Sequence, residues 1–146
     1  MIDVLRDTQA RLLAALDYET HRFLFDTFDL EPRLVGLIGP RGVGKTTLLL
    51  QLIKERLDHP DDAFYASADH IFFSKTNLFE LVRTLYETEG VARFFIDEIH
   101  KHQDWAQQLK NIYDSFPAVH VVFSGSSSLT LMRGSYDLSR RAVLFH

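Results

Sequence analysis

Residues 39–47 read GPRGVGKTT and fit the pattern G-x-x-x-x-G-K-T, which requires a strand before it and a helix after it. Glycines in such a loop let successive backbone N–H groups curl around phosphate oxygens, and the helix that follows points the positive end of its dipole at the same anion. Lys45 is then placed to reach the β- and γ-phosphates of a nucleotide, and the Thr46 hydroxyl is placed to ligate Mg²⁺. The predicted phosphate-binding residues are Gly39, Pro40, Arg41, Gly42, Val43, Gly44, Lys45, Thr46 and Thr47. The alternative is a glycine-rich turn that binds no ligand.

The segments on either side of this loop have the character that the pattern requires. Residues 34–38 form a short apolar run, as expected of a buried parallel strand. Residues 46–57 are rich in strong helix formers and are followed by Asp58-His59-Pro60, which predicts the end of a helix there. A strand, a loop and a helix are therefore predicted in the order that a phosphate-binding loop needs.

A second apolar segment, residues 92–96, leads directly into Asp97 and Glu98. In a site for phosphoryl transfer, the first acid at the end of such a strand holds Mg²⁺, usually through water, opposite the threonine of the loop. The second acid is placed to orient and deprotonate an attacking water. We therefore assign Asp97 to the metal and Glu98 to the general base. The alternative is that two acids end a strand at the surface.

The remaining sequence alternates between predicted strands and helices. Such alternation predicts an α/β fold of three layers, in which helices cover both faces of a mainly parallel, five-stranded sheet. The other predicted elements are helices at 3–17, 76–88, 103–115 and 129–132, an ambiguous aromatic segment at 18–28, and strands at 63–68, 119–123 and 142–145. Ligands of such sheets bind where the strands end, and Gly39, Asp97 and Ser124 all fall there. We predict one domain over residues 1–146, with residues 1–30 as a helical lead-in.

Composition narrows the classes of function. The formal net charge of the 146 residues is −4, so the overall charge does not itself indicate nucleic acid, and a role on DNA is left open. The chain has no cysteine, which excludes disulfides and thiolate metal sites. No apolar stretch approaches the length of a membrane span, and the expected location is the cytoplasm.

Five blocks of the sequence carry a resemblance to a known family. The blocks are GPRGVGKTTLLLQ, FFIDEIHK, QQLKNIYDSFP, FSGSSSL and DLSRRAVLFH, in that order. From about residue 18 to 146 the chain resembles the AAA-type ATPases of bacteria and archaea, which are related to the archaeal and STAND ATPases. The resemblance implies the P-loop NTPase fold, ATP as the substrate and Mg²⁺ as the cofactor. The choice of adenine over guanine rests on this resemblance and on the absence of an N-K-x-D motif.

The resemblance also implies two further site residues. Ser124 corresponds to a polar residue on the strand beside the acidic one, facing the γ-phosphate or the attacking water; the alternative is a polar turn over residues 124–128. Arg141, preferred over Arg140 by the alignment of the last block, corresponds to an arginine that answers the γ-phosphate. The alternative there is a surface pair of arginines, and the sequence does not say whether the arginine serves its own nucleotide or a neighbour's.

Relatives of this kind continue past the last strand into a helical lid and often a further domain, whereas this sequence ends at His146. We therefore expect an N-terminal part of a longer protein, with a naturally short relative as the alternative. Expected partners are ATP and ADP, a C-terminal domain and a second copy of the chain. The pair His100 and His102 is not favoured as a zinc site, because no third ligand has suitable spacing.

Two functions remain for comparison with the structure. The first is an ATPase in which Glu98 positions water for Mg²⁺-dependent hydrolysis. The second is a switch or assembly module that ATP occupancy controls, with little hydrolysis of its own. The intact acidic pair favours the first.

Overall fold

The computed structural model describes residues 2–16, 30–39, 44–57, 62–126 and 143–145. The helices in these ranges are α1 (Ile2–Ala14), α2 (Lys45–Gln51), α3 (Leu78–Glu89) and α4 (Trp105–Ser115). The strands are β1 (Leu34–Gly39), β2 (Ala63–Ser67), β3 (Arg93–Asp97), β4 (His120–Ser126) and β5 (Val143–Phe145). Helix α2 continues as a π-helical segment at Leu52–Arg56, and short 3₁₀ turns occupy Ile71–Ser74 and Ile99–Lys101.

The strands form one five-stranded sheet in the order β2-β3-β4-β1-β5, and every neighbouring pair is parallel. The predicted α/β fold with a parallel sheet is therefore confirmed. Because the strands are parallel, their carboxyl ends lie along one edge of the sheet, which we call the carboxyl edge. Gly39 and Ser126 are paired at that edge, and Asp97 ends the neighbouring strand β3.

Helices cover both faces of the sheet, as a parallel sheet with apolar strands requires. On one face, leucines of α2 pack with buried strand residues that include Val35, Tyr65 and Phe95. On the other face, α3 and α4 pack against Phe64 and Phe94, among others. The alternation of side chains along each strand sends neighbours to opposite faces, and both faces are apolar here.

Helix α3 shows why two of the predicted boundaries fell close to the observed ones. The Asn77 side chain accepts a hydrogen bond from the Glu80 N–H at 2.8 Å and so caps the helix at its start. Gly90 adopts φ 73° in the left-handed region and ends the helix. The predicted helix at 76–88 is thus observed at Leu78–Glu89.

Helix α1 packs beside β2, which is one of the two outer strands of the sheet. The buried Gln9 side chain donates to the Ala63 carbonyl oxygen at 3.0 Å and accepts from the Tyr65 N–H at 3.1 Å. One side-chain amide therefore satisfies both a donor and an acceptor on the outward side of β2, much as a neighbouring strand would do.

Arg33 connects several elements at the opposite edge of the sheet, where the strands begin, which we call the amino edge. Its Nη2 donates to the carbonyl oxygens of Tyr113 at 2.7 Å and Phe116 at 3.0 Å, and its Nε donates to that of Val119 at 3.4 Å. The guanidinium carbon also lies 4.0 Å from the centroid of the Tyr113 ring. Arg33 thus ties the residue before β1 to the end of α4 and to the approach to β4.

Several predicted features fall outside the described residues. These are the aromatic segment at 18–28, the short helix at 129–132 and residues 40–43 of the loop. None of the helices in the described ranges combines the length and the apolar character needed to cross a bilayer.

Candidate functional site

The candidate site lies at the carboxyl edge, around the end of β3. Asp97 is the last residue of β3 and pairs in register with Ser67 of β2. On its other side, Ile96 pairs with Phe123 of β4, which places Ser124 beside Asp97. Helix α2 begins over the same edge with Lys45 and Thr46. The structure therefore brings together side chains that are far apart in the sequence.

The Asp97 carboxylate is the centre of this arrangement. The side chain is buried, with Asp97 only 2% exposed. Its Oδ2 accepts hydrogen bonds from the Thr46 hydroxyl and from the Tyr65 hydroxyl, the latter at 2.8 Å. Its Oδ1 accepts from the Ser124 hydroxyl and from the Glu98 N–H, the latter at 3.2 Å. Three hydroxyls from α2, β2 and β4 thus surround one carboxylate.

These contacts bear on what Asp97 can bind. Within the described part of the chain, the groups that contact its carboxylate are neutral. A buried negative charge is costly unless an opposite charge or several hydrogen bonds compensate it. Carboxylate and hydroxyl oxygens are hard ligands of the kind that Mg²⁺ prefers, and Thr46 can donate to Asp97 while an oxygen lone pair stays available. The donor set at Thr46 and Asp97 therefore fits a Mg²⁺ ion.

Lys45 lies at the start of α2 and is also buried, at 7% exposed. Its Nζ donates to the Gly39 carbonyl oxygen at 2.8 Å, so the side chain reaches back over the beginning of the loop. Gly44, just before it, adopts φ 82°, a conformation that glycine takes without strain. The structure thus brings Gly39, Gly44 and Lys45 together, and Thr47 is exposed on the first turn of the helix.

The other predicted loop residues, Pro40, Arg41, Gly42 and Val43, lie outside the described residues. The same holds for Arg140 and Arg141. The proposed roles of these residues therefore remain predictions from the sequence.

Glu98 follows Asp97 but has very different surroundings. Its backbone adopts φ 56° and ψ 45° in the left-handed region, which is uncommon for a residue with a side chain. Such a conformation costs about 1–3 kcal/mol and persists where neighbouring contacts hold it. Here the Glu98 N–H donates to the Ser124 hydroxyl oxygen at 3.0 Å. The turn directs the Glu98 side chain away from the line of the strand.

The Glu98 carboxylate meets His100. The His100 Nε2 lies 3.3 Å from Glu98 Oε2, and each of the two side chains is 25% exposed. The His100 Nδ1 accepts from the Ser126 N–H at 3.4 Å. Because Nδ1 acts as an acceptor, a neutral His100 carries its proton on Nε2, the nitrogen that faces Glu98. The carboxylate predicted to be the base is thus connected to the end of β4.

Ser124 is a strand residue rather than part of a turn. Strand β4 runs to Ser126, whereas the sequence predicted its end at residue 123, and Ser124 pairs in register with Leu37. The side chain is fully buried, and its hydroxyl donates to Asp97 while it accepts from the Glu98 N–H. Ser124 therefore connects the two acids of the site.

Tyr65 is a site residue that the sequence analysis missed. It lies in β2, is 4% exposed and places its hydroxyl on the Asp97 carboxylate. Burial, followed by the nearby charge of Asp97, raises the pKa of Tyr65 well above its usual range. Tyr65 therefore stays a neutral donor. The available signal was a hydroxyl within the apolar run AFYA, since a buried tyrosine hydroxyl normally finds a partner.

The two histidines of the H-x-H pair have separate partners. His100 contacts Glu98, whereas the Nε2 of His102 accepts the Leu78 N–H at 3.2 Å, at the start of α3. Burial lowers the pKa of His102. His102 thus links the segment after β3 to α3.

A groove of about 620 Å³ lies beside the site, between the segments that follow β2 and β3. Ala68 belongs to its lining and also donates its N–H to the Asp97 carbonyl oxygen at 2.8 Å, which makes the groove a neighbour of the acidic site. Ile71 on its rim is 70% exposed.

Comparisons with known proteins bear on this site. The AAA domain family model matches residues 31–146. Among solved structures, C. elegans PCH-2 is similar, with a TM-score of 0.53 and 20% sequence identity over 97% of this chain and 42% of that chain. This chain therefore spans less than half of the PCH-2 chain, and a similarity at that identity concerns the fold alone. A search of curated proteins found no match.

The family match includes β1, α2, β3 and β4, the elements that carry Lys45, Thr46, Asp97 and Ser124. The similar solved structure agrees with the parallel α/β fold described above. The chain therefore belongs to the AAA domain family, and its domain is of the nucleotide-binding ATPase type.

Proposed function

We propose that this domain binds ATP together with Mg²⁺ at the carboxyl edge of the sheet and hydrolyses it. The observation that carries the proposal is the buried Asp97 carboxylate, which accepts the Thr46 hydroxyl while Lys45 lies at the start of the same helix. A carboxylate and a hydroxyl at this position are oxygen ligands of the kind that Mg²⁺ prefers. The sequence pattern of the loop is typical of a site for the phosphate anion that such a cation accompanies.

In this proposal, different residues bind the phosphates and the Mg²⁺ ion. The loop from Gly39 to Thr47 holds the phosphates, and Lys45 exchanges its contact with the Gly39 carbonyl for the outer phosphates. Thr46 and Asp97 hold Mg²⁺, Asp97 through water. The ion, when bound, neutralises charge on the phosphate oxygens.

Glu98 acts as the general base in this proposal. Its carboxylate accepts a proton from the attacking water, and Ser124 fixes the backbone from which that carboxylate extends. Arg141, by the family resemblance, answers the charge that develops on the γ-phosphate.

The test compares Glu98→Gln and Lys45→Ala with the wild-type chain. Glu98→Gln keeps the binding of a fluorescent ATP analogue, because it removes only the proton acceptor, and lowers turnover by roughly 10²–10⁴-fold. Lys45→Ala weakens the binding itself. Glu87→Gln is the matched control, since Glu87 is exposed on α3 and 3.9 Å from Arg83. Equal turnover in Glu98→Gln and wild type would remove the base assignment.

A second function, an ATP-controlled switch with slow hydrolysis, is favoured by one contact. The Glu98 Oε2 lies 3.3 Å from His100 Nε2, and this contact restrains the carboxylate that would otherwise position a water molecule. Under this proposal, Mg²⁺-ATP promotes association of the chain at concentrations where hydrolysis is negligible, and His100→Ala raises turnover. Light scattering that shows the same mass with and without Mg²⁺-ATP, together with unchanged turnover in His100→Ala, would count against it.

A further inference from the structure

The path of the Tyr65 side chain follows from the register of the sheet. Tyr65 pairs with Phe95, and Ser67, two residues later, pairs with Asp97. Paired residues of neighbouring strands point to the same face, so Tyr65 and Asp97 share the face that α2 covers. Diagonal neighbours on one face are within reach of aromatic side chains. The tyrosine therefore spans diagonally from β2 to the carboxylate at the end of β3, where its hydroxyl lies 2.8 Å from Oδ2.

The three hydroxyls that donate to Asp97 come from a helix and from two different strands. Thr46 belongs to the start of α2, directly after the loop that takes the phosphates, and its hydroxyl is also the expected metal ligand. Ser124 holds the other oxygen, Oδ1, from inside β4. Tyr65 is the contact on Oδ2 that comes from the sheet rather than from α2.

We propose that Tyr65 is a positioning residue of the Mg²⁺ site, which keeps the Asp97 carboxylate in its metal-binding orientation whether or not the loop holds a nucleotide. This inference rests on the proposed function. Together, Tyr65 on Oδ2 and Ser124 on Oδ1 fix the plane of the carboxylate from two strands. Thr46 is then free to turn its hydroxyl oxygen to the metal without releasing Asp97.

The proposal predicts that loss of the Tyr65 hydroxyl weakens the binding of Mg²⁺ and not the binding of ATP alone. Tyr65→Phe removes one oxygen atom and leaves the ring in place against the α2 leucines. Partners that orient a metal ligand typically change metal affinity or activity by 10–100-fold when they are removed. We expect the Mg²⁺ concentration for half-maximal tightening of ATP binding to rise by about 10-fold or more. Binding of ATP in EDTA stays unchanged, because the Tyr65 hydroxyl acts through Asp97, the proposed metal ligand.

The experiment measures the binding of a fluorescent ATP analogue, first in EDTA and then across a Mg²⁺ titration, for wild type, Tyr65→Phe and Tyr86→Phe. Tyr86 is the matched control, since it packs against Phe116 with the core on the other face of the sheet. Thermal melting of each variant in EDTA establishes that it is folded and gives a second readout when Mg²⁺ and ATP are added.

A Mg²⁺ midpoint that rises only in Tyr65→Phe, with equal binding in EDTA, supports the proposal. An unchanged midpoint overturns it and leaves the ATPase proposal intact. Weaker binding in EDTA as well would show a general structural role and also overturn it. Should the wild type itself show no Mg²⁺ dependence, the proposed function fails, and that outcome is distinct from the others.

Discussion

The amino edge of the sheet holds Arg33 and the carboxyl edge holds Asp97, and these two charged side chains have different surroundings. At the amino edge, Arg33 donates to three backbone carbonyl oxygens and stacks over the Tyr113 ring. At the carboxyl edge, the buried Asp97 receives three hydroxyls and one N–H. The partners of Arg33 carry partial negative charge along the chain that it fastens. The partners of Asp97 point hydrogens with partial positive charge at its carboxylate.

The difference separates a structural contact from the proposed Mg²⁺ site. Arg33 fastens β1 to the end of α4 and uses its planar fork of donors for that purpose. Asp97 places its carboxylate where water hardly reaches, and under the proposed function a Mg²⁺ ion supplies the opposite charge. Among the described residues both side chains are met by neutral dipoles, so the distinction lies in burial, since Arg33 is only part-buried and Asp97 is 2% exposed.

Among the changes that test this comparison, replacement of the Asp97 carboxylate has the largest expected effect. A ligand present at one hundred times its Kd stabilises a folded protein by about 2.7 kcal/mol. Asp97→Asn keeps the shape but removes the charge, so the part of the ATP-dependent stabilisation that requires Mg²⁺ disappears. Thermal melting with ATP, in EDTA and in Mg²⁺, measures this.

The control for that variant is Asn77→Asp, which places a carboxylate at the cap of α3 away from Asp97. If Asp97→Asn retained the full stabilisation by Mg²⁺, the assignment of Asp97 to the metal would be wrong.

Removal of the guanidinium at the amino edge has the next largest effect, and it acts on stability alone. Arg33→Ala leaves three carbonyl oxygens without this donor, and we expect the free energy of unfolding to fall by about 2 kcal/mol. The affinity for ATP and the Mg²⁺ dependence stay unchanged, since no group of the site is touched. Urea denaturation gives the stability.

Arg83→Ala is the comparison for Arg33→Ala, because Arg83 is exposed on α3 and its pairing with Glu80 is worth little at the surface. An Arg33→Ala protein with normal stability, or one with an altered Mg²⁺ midpoint, would contradict the division between the two edges.

A change of pH has the smallest expected effect and touches both edges. Burial lowers the pKa of His102 near the carboxyl edge, and burial followed by the charge of Arg93 lowers that of His120 at the amino edge. Above the ordinary pKa of 6.5, both residues are neutral in the folded and unfolded chain. As the pH falls through 6.5, the unfolded chain takes up protons first, so stability decreases.

Thermal melting between pH 7.5 and pH 5 checks this direction. His102→Gln keeps an acceptor for the Leu78 N–H and reduces the loss of stability at low pH, and His120→Gln reduces it independently. The same slope in both variants as in wild type would show that other groups control the acid side.

Much of the site was predictable because it depends on local patterns. The loop and the apolar strand before Asp97 are readable from neighbouring residues, and the parallel sheet then places their ends at one edge. The family resemblance added Ser124, and the structure locates it between the two acids. The predicted helix at 46–57 was right in extent, although its second half is π-helical.

The residues that were missed act over long separations in the chain. Tyr65 meets Asp97 from 32 positions away, and Arg33 meets Phe116 from 83 positions away. Neither contact leaves a periodic signal, because each depends on the register between strands and on the length of one side chain. The left-handed turn at Glu98 and its contact with His100 are likewise set by the end of β4 rather than by the local sequence.

The amide of Gln9 has a consequence for the molecule in a crowded solution. It takes up an N–H and a carbonyl on the outer side of β2, which are the groups through which an exposed strand recruits another strand. Helix α1 therefore prevents β2 from pairing with a strand of another chain, in addition to packing against the sheet. A chain that starts after α1 would expose the outer side of β2 to other copies of itself. We expect such a chain to self-associate in solution while its nucleotide site stays intact.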